Sequence, residues 1–277
     1  MFAHSAPGLA GATVALAALL APAAQAQDVT LYGAGSLRAV MTEITQRYAE
    51  KHGVRVATAF GPSGLMRQKI EGGDAVDVFT SADMGHVLAL RQRPGAPIVA
   101  VFTRNRLCAF AKPELKLDEA NFVSKLTDPA VPIGTSTPQA DPGGDYTWEM
   151  FRAMDKVQAG AYQTLDGKAQ KLVGGTTTTD PANPDPIGTA LQQDRIQVAF
   201  GYCSGQSSRL VANPGLTVLP VPARFAPAPM YGMAVLSSDK PHALRLALEI
   251  LSVEGQATLA RHGFTPIGDA GVPAPAR

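Results

Sequence analysis

Residues 28–37 read Asp28-Val29-Thr30-Leu31-Tyr32-Gly33-Ala34-Gly35-Ser36-Leu37. Val29 to Tyr32 predicts a short strand, the next three residues a small-residue turn, and Ser36 a helix N-cap. The helix expected over 37–52 carries Leu37, Val40, Met41, Ile44 and Tyr48 at intervals of three and four, an apolar stripe down one face. A strand, a glycine turn and a helix N-terminus gather unpaired backbone N–H groups and the positive end of a helix dipole at one point. Such a point suits an anion. Twenty-seven residues after Ser36, Phe60-Gly61-Pro62-Ser63-Gly64-Leu65 repeats the pattern, with Ser63 as its N-cap.

Outward from these two turns, strands and helices alternate. Strands are expected at Val54–Phe60, Val76–Ser81, Ile98–Phe102 and Arg106–Ala111, then at Val131–Thr135, Ile196–Tyr202, Leu216–Val221 and Met230–Leu236. Helices are expected over 65–71, 84–92 and 187–193, after the Asp141-Pro142-Gly143 opening, and as one long closing helix over 243–261. Alternation at this spacing predicts an α/β chain with parallel sheet covered on both sides. Val173 to Pro186 has no periodicity and reads as a strand end and a long surface loop. In such sheets ligands sit beyond the carboxyl ends of the strands, where both serine turns fall, so Ser36 and Ser63 are expected to converge on one cleft.

The ends and the composition bound the setting. Gly11 to Pro22 is rich in alanine and leucine and precedes Ala24-Gln25-Ala26, a small-x-small pattern. This predicts a signal peptide over 1–26, cleaved near Ala26, and an exported, periplasmic protein. Residues 271–277 are expected to form a disordered tail. A net charge of +1 with no lysine or arginine block speaks against nucleic acid as a partner. Cys108 and Cys203 are either a disulfide, as an oxidising compartment allows, or two buried thiols.

Several ordered motifs carry a resemblance. They are Gly33-Ala34-Gly35-Ser36-Leu37, Gly61-Pro62-Ser63-Gly64, Ala75-Val76-Asp77-Val78-Phe79-Thr80-Ser81-Ala82-Asp83, Asn105-Arg106-Leu107, Pro142-Gly143-Gly144-Asp145-Tyr146, Gly201-Tyr202 and His262-Gly263-Phe264. Together they resemble the periplasmic molybdate-binding proteins of ABC importers, within the type II substrate-binding proteins, over nearly the whole chain after the signal segment. The resemblance implies a two-lobed α/β fold, each lobe a mainly parallel sheet flanked by helices, joined by two crossing hinge strands. Lobe I would be 27–105 plus 231–270, and lobe II 106–230. It implies an oxyanion, molybdate or tungstate, held by neutral donors: the Ser36 and Ser63 hydroxyls, the backbone at Gly143 and Ile187, and the Tyr202 hydroxyl. No cofactor or bound metal ion is implied. The implied partner is an inner-membrane ABC permease, and a monomer is the expected state. Cys108 and Cys203 would both lie in lobe II. Gly143 stands where the family often has a side chain, Asp141 and Asp145 flank that turn, and the 176–186 loop is long for the family. Sulfate, another anion or a metal in the same fold is therefore the alternative.

A hydrolytic enzyme is the rival class. Asp77, Ser81, Asp83 and His86 are candidate groups, but no Gly-x-Ser-x-Gly elbow or compact metal cluster accompanies them. Ser81 and Asp83 read instead as capping residues. An iron-binding reading would need adjacent tyrosines, and Tyr202 is followed by Cys203.

Overall fold

The computed structural model describes residues 29–93, 97–175, 183 and 185–268, besides Met1. The expected signal segment, the tail over 271–277 and most of the threonine-rich loop lie outside the described residues.

The chain builds two five-stranded sheets. The first begins with β1 (Val29–Ala34), α1 (Arg38–His52), β2 (Val56–Gly61), α2 (Ser63–Glu71), β3 (Val78–Ser81), α3 (Gly85–Leu90) and β4 (Ile98–Arg104). The chain then crosses to β5 (Leu107–Ala111), α4 (Phe122–Thr127), β6 (Ile133–Ser136), α5 (Pro142–Asp155), α6 (Ala161–Lys168) and β7 (Ala169–Val173). It continues through α7 (Pro186–Gln192), β8 (Val198–Tyr202), α8 (Gln206–Ala212) and β9 (Thr217–Pro220). A second crossing returns it to β10 (Met230–Val235), α9 (Pro241–Leu251) and α10 (Val253–Arg261). No helix among the described residues is long and apolar enough to cross a membrane.

The strand orders are β2-β1-β3-β10-β4 and β7-β6-β8-β5-β9. In each sheet two ladders are parallel, β1 with β2 and β3, and β6 with β7 and β8. The strands that carry the chain between sheets supply the antiparallel ladders, β10 with β3 and β4, and β5 with β8 and β9. Both sheets are therefore mixed. A strand entering from the other lobe arrives at the opposite end of the sheet from one delivered by a helical crossover, and so runs against its neighbours.

Successive side chains of a strand face opposite ways, which gives lobe I two apolar layers. Val78, Met233 and Val235 join Leu37, Met41 and Ile44 of the first helical layer, packed with Leu246 and Ile250 of α9. Phe79 and Ala234, one residue out of phase, meet Met66 and Ile70 of α2 and Val87 and Leu90 of α3. Lobe II repeats the arrangement, with α4, α5 and α6 over one layer and α7 over the other.

Three local expectations change. The closing helix is two, because Ser252 leaves helical geometry at ψ 165° and caps α10 by accepting the Gly255 N–H. A Cβ on Gly255 would stand 2.2 Å from the Glu249 carbonyl, so the tight join of α9 to α10 needs glycine there. Neither Ser36 nor Ser63 is an N-cap. Ser36 lies inside a short 3-10 turn (Gly35–Leu37), and Ser63 is the first residue of α2 after Pro62. The hydroxyls are engaged by other parts of the chain.

Candidate ligand-binding cleft

Between the lobes lies a cavity of about 470 Å³. Lobe I contributes the turn after β1 (Ala34, Gly35, Ser36), the turn after β2 (Gly61, Pro62, Ser63) and Ala82 beyond β3. Lobe II contributes Ser136 at the end of β6, Asp141 and Gly143 at the start of α5, Ile187 on α7 and Tyr202 at the end of β8. Ser36, Ser63, Gly143, Ile187 and Tyr202 thus all line one cavity, at strand carboxyl ends as open α/β sheets dictate.

Ser63 is fully buried. Its Oγ accepts the Ala82 N–H at 3.1 Å, which leaves the hydroxyl proton to donate elsewhere. Ser36 sits at the end of a relay. The Asn105 amide donates to the Tyr231 hydroxyl at 3.2 Å, and that hydroxyl lies 3.1 Å from Ser36 Oγ. With its oxygen already accepting from Asn105, Tyr231 can give its proton to Ser36, and Ser36 can turn its own into the cavity. Asn105 also donates to Ser204 at 2.8 Å, and its backbone N–H reaches the Pro229 carbonyl at 3.0 Å. One buried residue, through side chain and backbone, therefore ties both crossings to the ligand wall.

The Tyr202 hydroxyl is buried, makes no close hydrogen bond among the described residues, and has the Tyr231 hydroxyl as its neighbouring polar group. Burial first, and then the nearby Tyr231 hydroxyl, push it well above the usual tyrosine value, so it stays an O–H donor. Its ring stacks edge-on against Tyr231 at 5.4 Å between centroids. Tyr202 is both a hinge-packing aromatic and a spare donor at the cavity.

The start of α5 is engaged by the chain itself. Asp141 caps the helix, its carboxylate accepting the Gly143 N–H at 3.0 Å. Burial pushes the Asp141 carboxyl up, against the opposing pull of Gly143 and the Ser136 hydroxyl. Asp185 caps α7 likewise, taking the Gly188 N–H at 3.0 Å and pairing with Arg209 at 2.5 Å. Arg209 itself lines the cavity, as does Arg38, whose guanidinium donates to the Phe60 carbonyl at 3.1 Å. Sequence reasoning missed both arginines and Ser136. No motif marks them, and Arg209 reaches the cleft only because α8 folds back beside α7.

The candidate hydrolytic groups have structural partners. Asp77 accepts the Thr30 N–H at 2.9 Å and pairs with Lys240 at 2.9 Å. Asp83 accepts from Ser81 and from the His86 N–H, fixing the turn into α3. Cys108 and Cys203 form a disulfide, which decides between the two readings of that pair. The cleft is pinned on one side, where the Gly64 N–H of α2 donates to the Ala140 carbonyl of the other lobe at 3.2 Å.

Two sheets with separate cores, joined by two crossings and opening a cavity between their strand ends, form the two-lobed fold of the type II periplasmic binding proteins. The chain belongs to the family of bacterial extracellular solute-binding proteins, whose profile matches residues 29–265. It is 33% identical over 239 residues to an uncharacterised protein of Pasteurella multocida, covering 85% of this chain and 98% of that one. It is 25% identical over 197 residues to the molybdate-binding protein ModA of Escherichia coli, covering 68% and 74%. Among solved structures it superposes on the sulfate-binding protein SubI of Mycobacterium tuberculosis with a TM-score of 0.71 at 14% identity, covering 90% and 92%. That last likeness is one of fold.

Proposed function

We propose that the protein is an exported receptor that captures a small tetrahedral oxyanion between its lobes and delivers it to an inner-membrane ABC permease. Molybdate or tungstate is the first candidate, since a relative at 25% identity is a molybdate-binding protein. The observation that carries the reading is the set of neutral donors around one cavity. Ser63 has its oxygen occupied and its proton to give, Ser36 ends a relay, and Tyr202 is a buried O–H with no close hydrogen bond. Neutral donors disperse an anion's charge and still allow release. In this reading the lobes, 27–105 plus 231–270 and 106–230, close on the anion because it touches both, and no substrate is turned over. A leader over 1–26 would take the monomer to the periplasm.

A second reading is an anion with an organic body. The cavity is about 470 Å³ where a water claims about 30 Å³. It is larger than four oxygens need, and Phe60, Phe110 and Leu172 give it apolar walls.

Isothermal titration with molybdate, tungstate, sulfate, phosphate and small organic phosphates tests both readings. One-to-one binding of molybdate or tungstate, lost in the Ser36→Ala/Ser63→Ala double variant, is the expected result. Each hydrogen bond to a charged ligand is worth about 1.5–3 kcal/mol, so the pair predicts at least about a hundredfold weaker binding. Unchanged affinity in that variant, with its circular dichroism intact, removes the proposed site.

A further inference from the structure

Asp141 caps α5, yet its carboxylate also lines the cleft, a placement that a fully ionised oxyanion does not account for. A Cβ placed on Gly143 would meet Ser136 Oγ at 3.3 Å and Asp141 Oδ1 at 3.5 Å, so carboxylate, hydroxyl and the Gly143 N–H share one corner of the cavity. An ionised carboxylate can only accept hydrogen bonds, and the same holds for every oxygen of a fully ionised tetrahedral anion. The Gly143 N–H and the Ser136 hydroxyl are both turned to Asp141, so an anion oxygen that meets the carboxylate here has no donor between them unless a proton is added.

The charges acting on Asp141 do not remove this need. Asp145, further along α5, and Asp83, beyond β3, act on it with its own sign. His86 and Arg152 act on Asp145 and offset it in part. Of the cations lining the cavity, Arg209 is paired with Asp185, and Arg38 is bonded to a lobe I carbonyl. The Tyr202 hydroxyl feels Asp141 but is itself a neutral donor.

We propose that anion capture in this cleft takes up one proton, held between the Asp141 carboxylate and the ligand, which makes Asp141 the residue that sets anion preference. This rests on the oxyanion reading given above. Anions that bring a proton, such as hydrogen phosphate or a monoprotonated organic phosphate, bind as they are. Sulfate and molybdate, which carry none at neutral pH, bind only together with a proton from solvent. Burial of the Asp141 carboxyl, which already favours its protonated form, works in the same direction.

The test is calorimetric titration of the wild-type protein with molybdate, sulfate and inorganic phosphate, in two buffers of different ionisation enthalpy, between about pH 6 and about pH 8. The expected result is uptake approaching one proton per molybdate or sulfate, with affinity rising up to about tenfold for each pH unit lowered. Hydrogen phosphate is expected to bind with little uptake. In Asp141→Asn the amide keeps the helix cap and supplies a donor of its own. Uptake should then vanish and molybdate affinity become independent of pH. Molybdate or sulfate binding with no uptake in the wild type, or uptake unchanged in Asp141→Asn, overturns the proposal. Absence of heat with every anion overturns the oxyanion reading, and this inference with it. The wild-type measurement decides even if the variant does not fold.

Discussion

Asp141 serves the fold and burdens it at once. As the cap of α5 its carboxylate satisfies a backbone N–H, and as a buried charge it resists ionisation. The folded-state pKa is raised, so the folded chain holds that proton more tightly than the unfolded chain. Its contribution is fully present below the unfolded carboxylate value of about 3.9 and is lost as pH rises through the folded value. Asp141→Asn should therefore gain stability over wild type as pH rises above about 4, with the gain levelling off once the wild-type group has ionised. Thermal unfolding of both proteins across that range checks this. A variant less stable than wild type at neutral pH would mean that the ionised cap outweighs its burial. At this scale the sequence was partly legible. Ser36 and Ser63 stand out because each follows a strand and a glycine, yet their role as caps did not follow. Ser63 Oγ is drawn instead to the Ala82 N–H, a partner nineteen residues away that local pattern cannot indicate. Arg209 was illegible for the same reason, since its place depends on the packing of α8 beside α7.

Among the elements, the start of α2 does the most to fix how the lobes meet. The Gly64 N–H bonds the Ala140 carbonyl across the cleft, and a Cβ on Gly64 would lie 2.8 Å from the carbonyl oxygens of both Gln139 and Ala140. Those oxygens belong to backbone, which cannot turn aside as a flexible side chain would. Gly64→Ala is thus expected to leave each lobe folded and push the lobes apart on this side. Small-angle scattering should show a larger radius of gyration, and anion affinity should fall although no ligand contact has been removed. An unchanged radius and affinity would show that the contact yields without consequence. Strand-helix alternation and period-two burial make most of these elements legible in the sequence, because each needs only its own residues. The break between α9 and α10 is hidden because apolar spacing continues through Ser252. The extended backbone of Ser252 and the close approach of Gly255 to the Glu249 carbonyl reveal it. The antiparallel ladders are equally hidden, since their direction follows from how the chain returns between lobes.

Across the whole molecule, each lobe has its own apolar layers, and the disulfide serves one lobe alone. Cys108 on β5 and Cys203 beyond β8 are 95 residues apart in sequence, and the enclosed chain holds α4 to α7 and most of the lobe II core. Closing so long a loop restricts the unfolded chain, which for a natural disulfide is worth about 2–4 kcal/mol. Lobe I, with its buried core built from 29–102 and from β10 onward, lies outside that loop. Removing the bond should therefore weaken lobe II selectively. The chain offers a reporter for this, because its single tryptophan, Trp148, is buried in lobe II and bonded to Asp166 at 2.8 Å. Tryptophan fluorescence reads lobe II, while far-ultraviolet circular dichroism reads both lobes. In Cys108→Ala/Cys203→Ala, the fluorescence midpoint in urea should fall below the dichroism midpoint, and the wild-type curves should lie closer together. Midpoints that fall together would mean that the Tyr202–Tyr231 stack and the Asn105 bonds couple the lobes more strongly than the disulfide favours one of them. Lobe closure would then be a motion about a stiff hinge, with little independent loosening of lobe II.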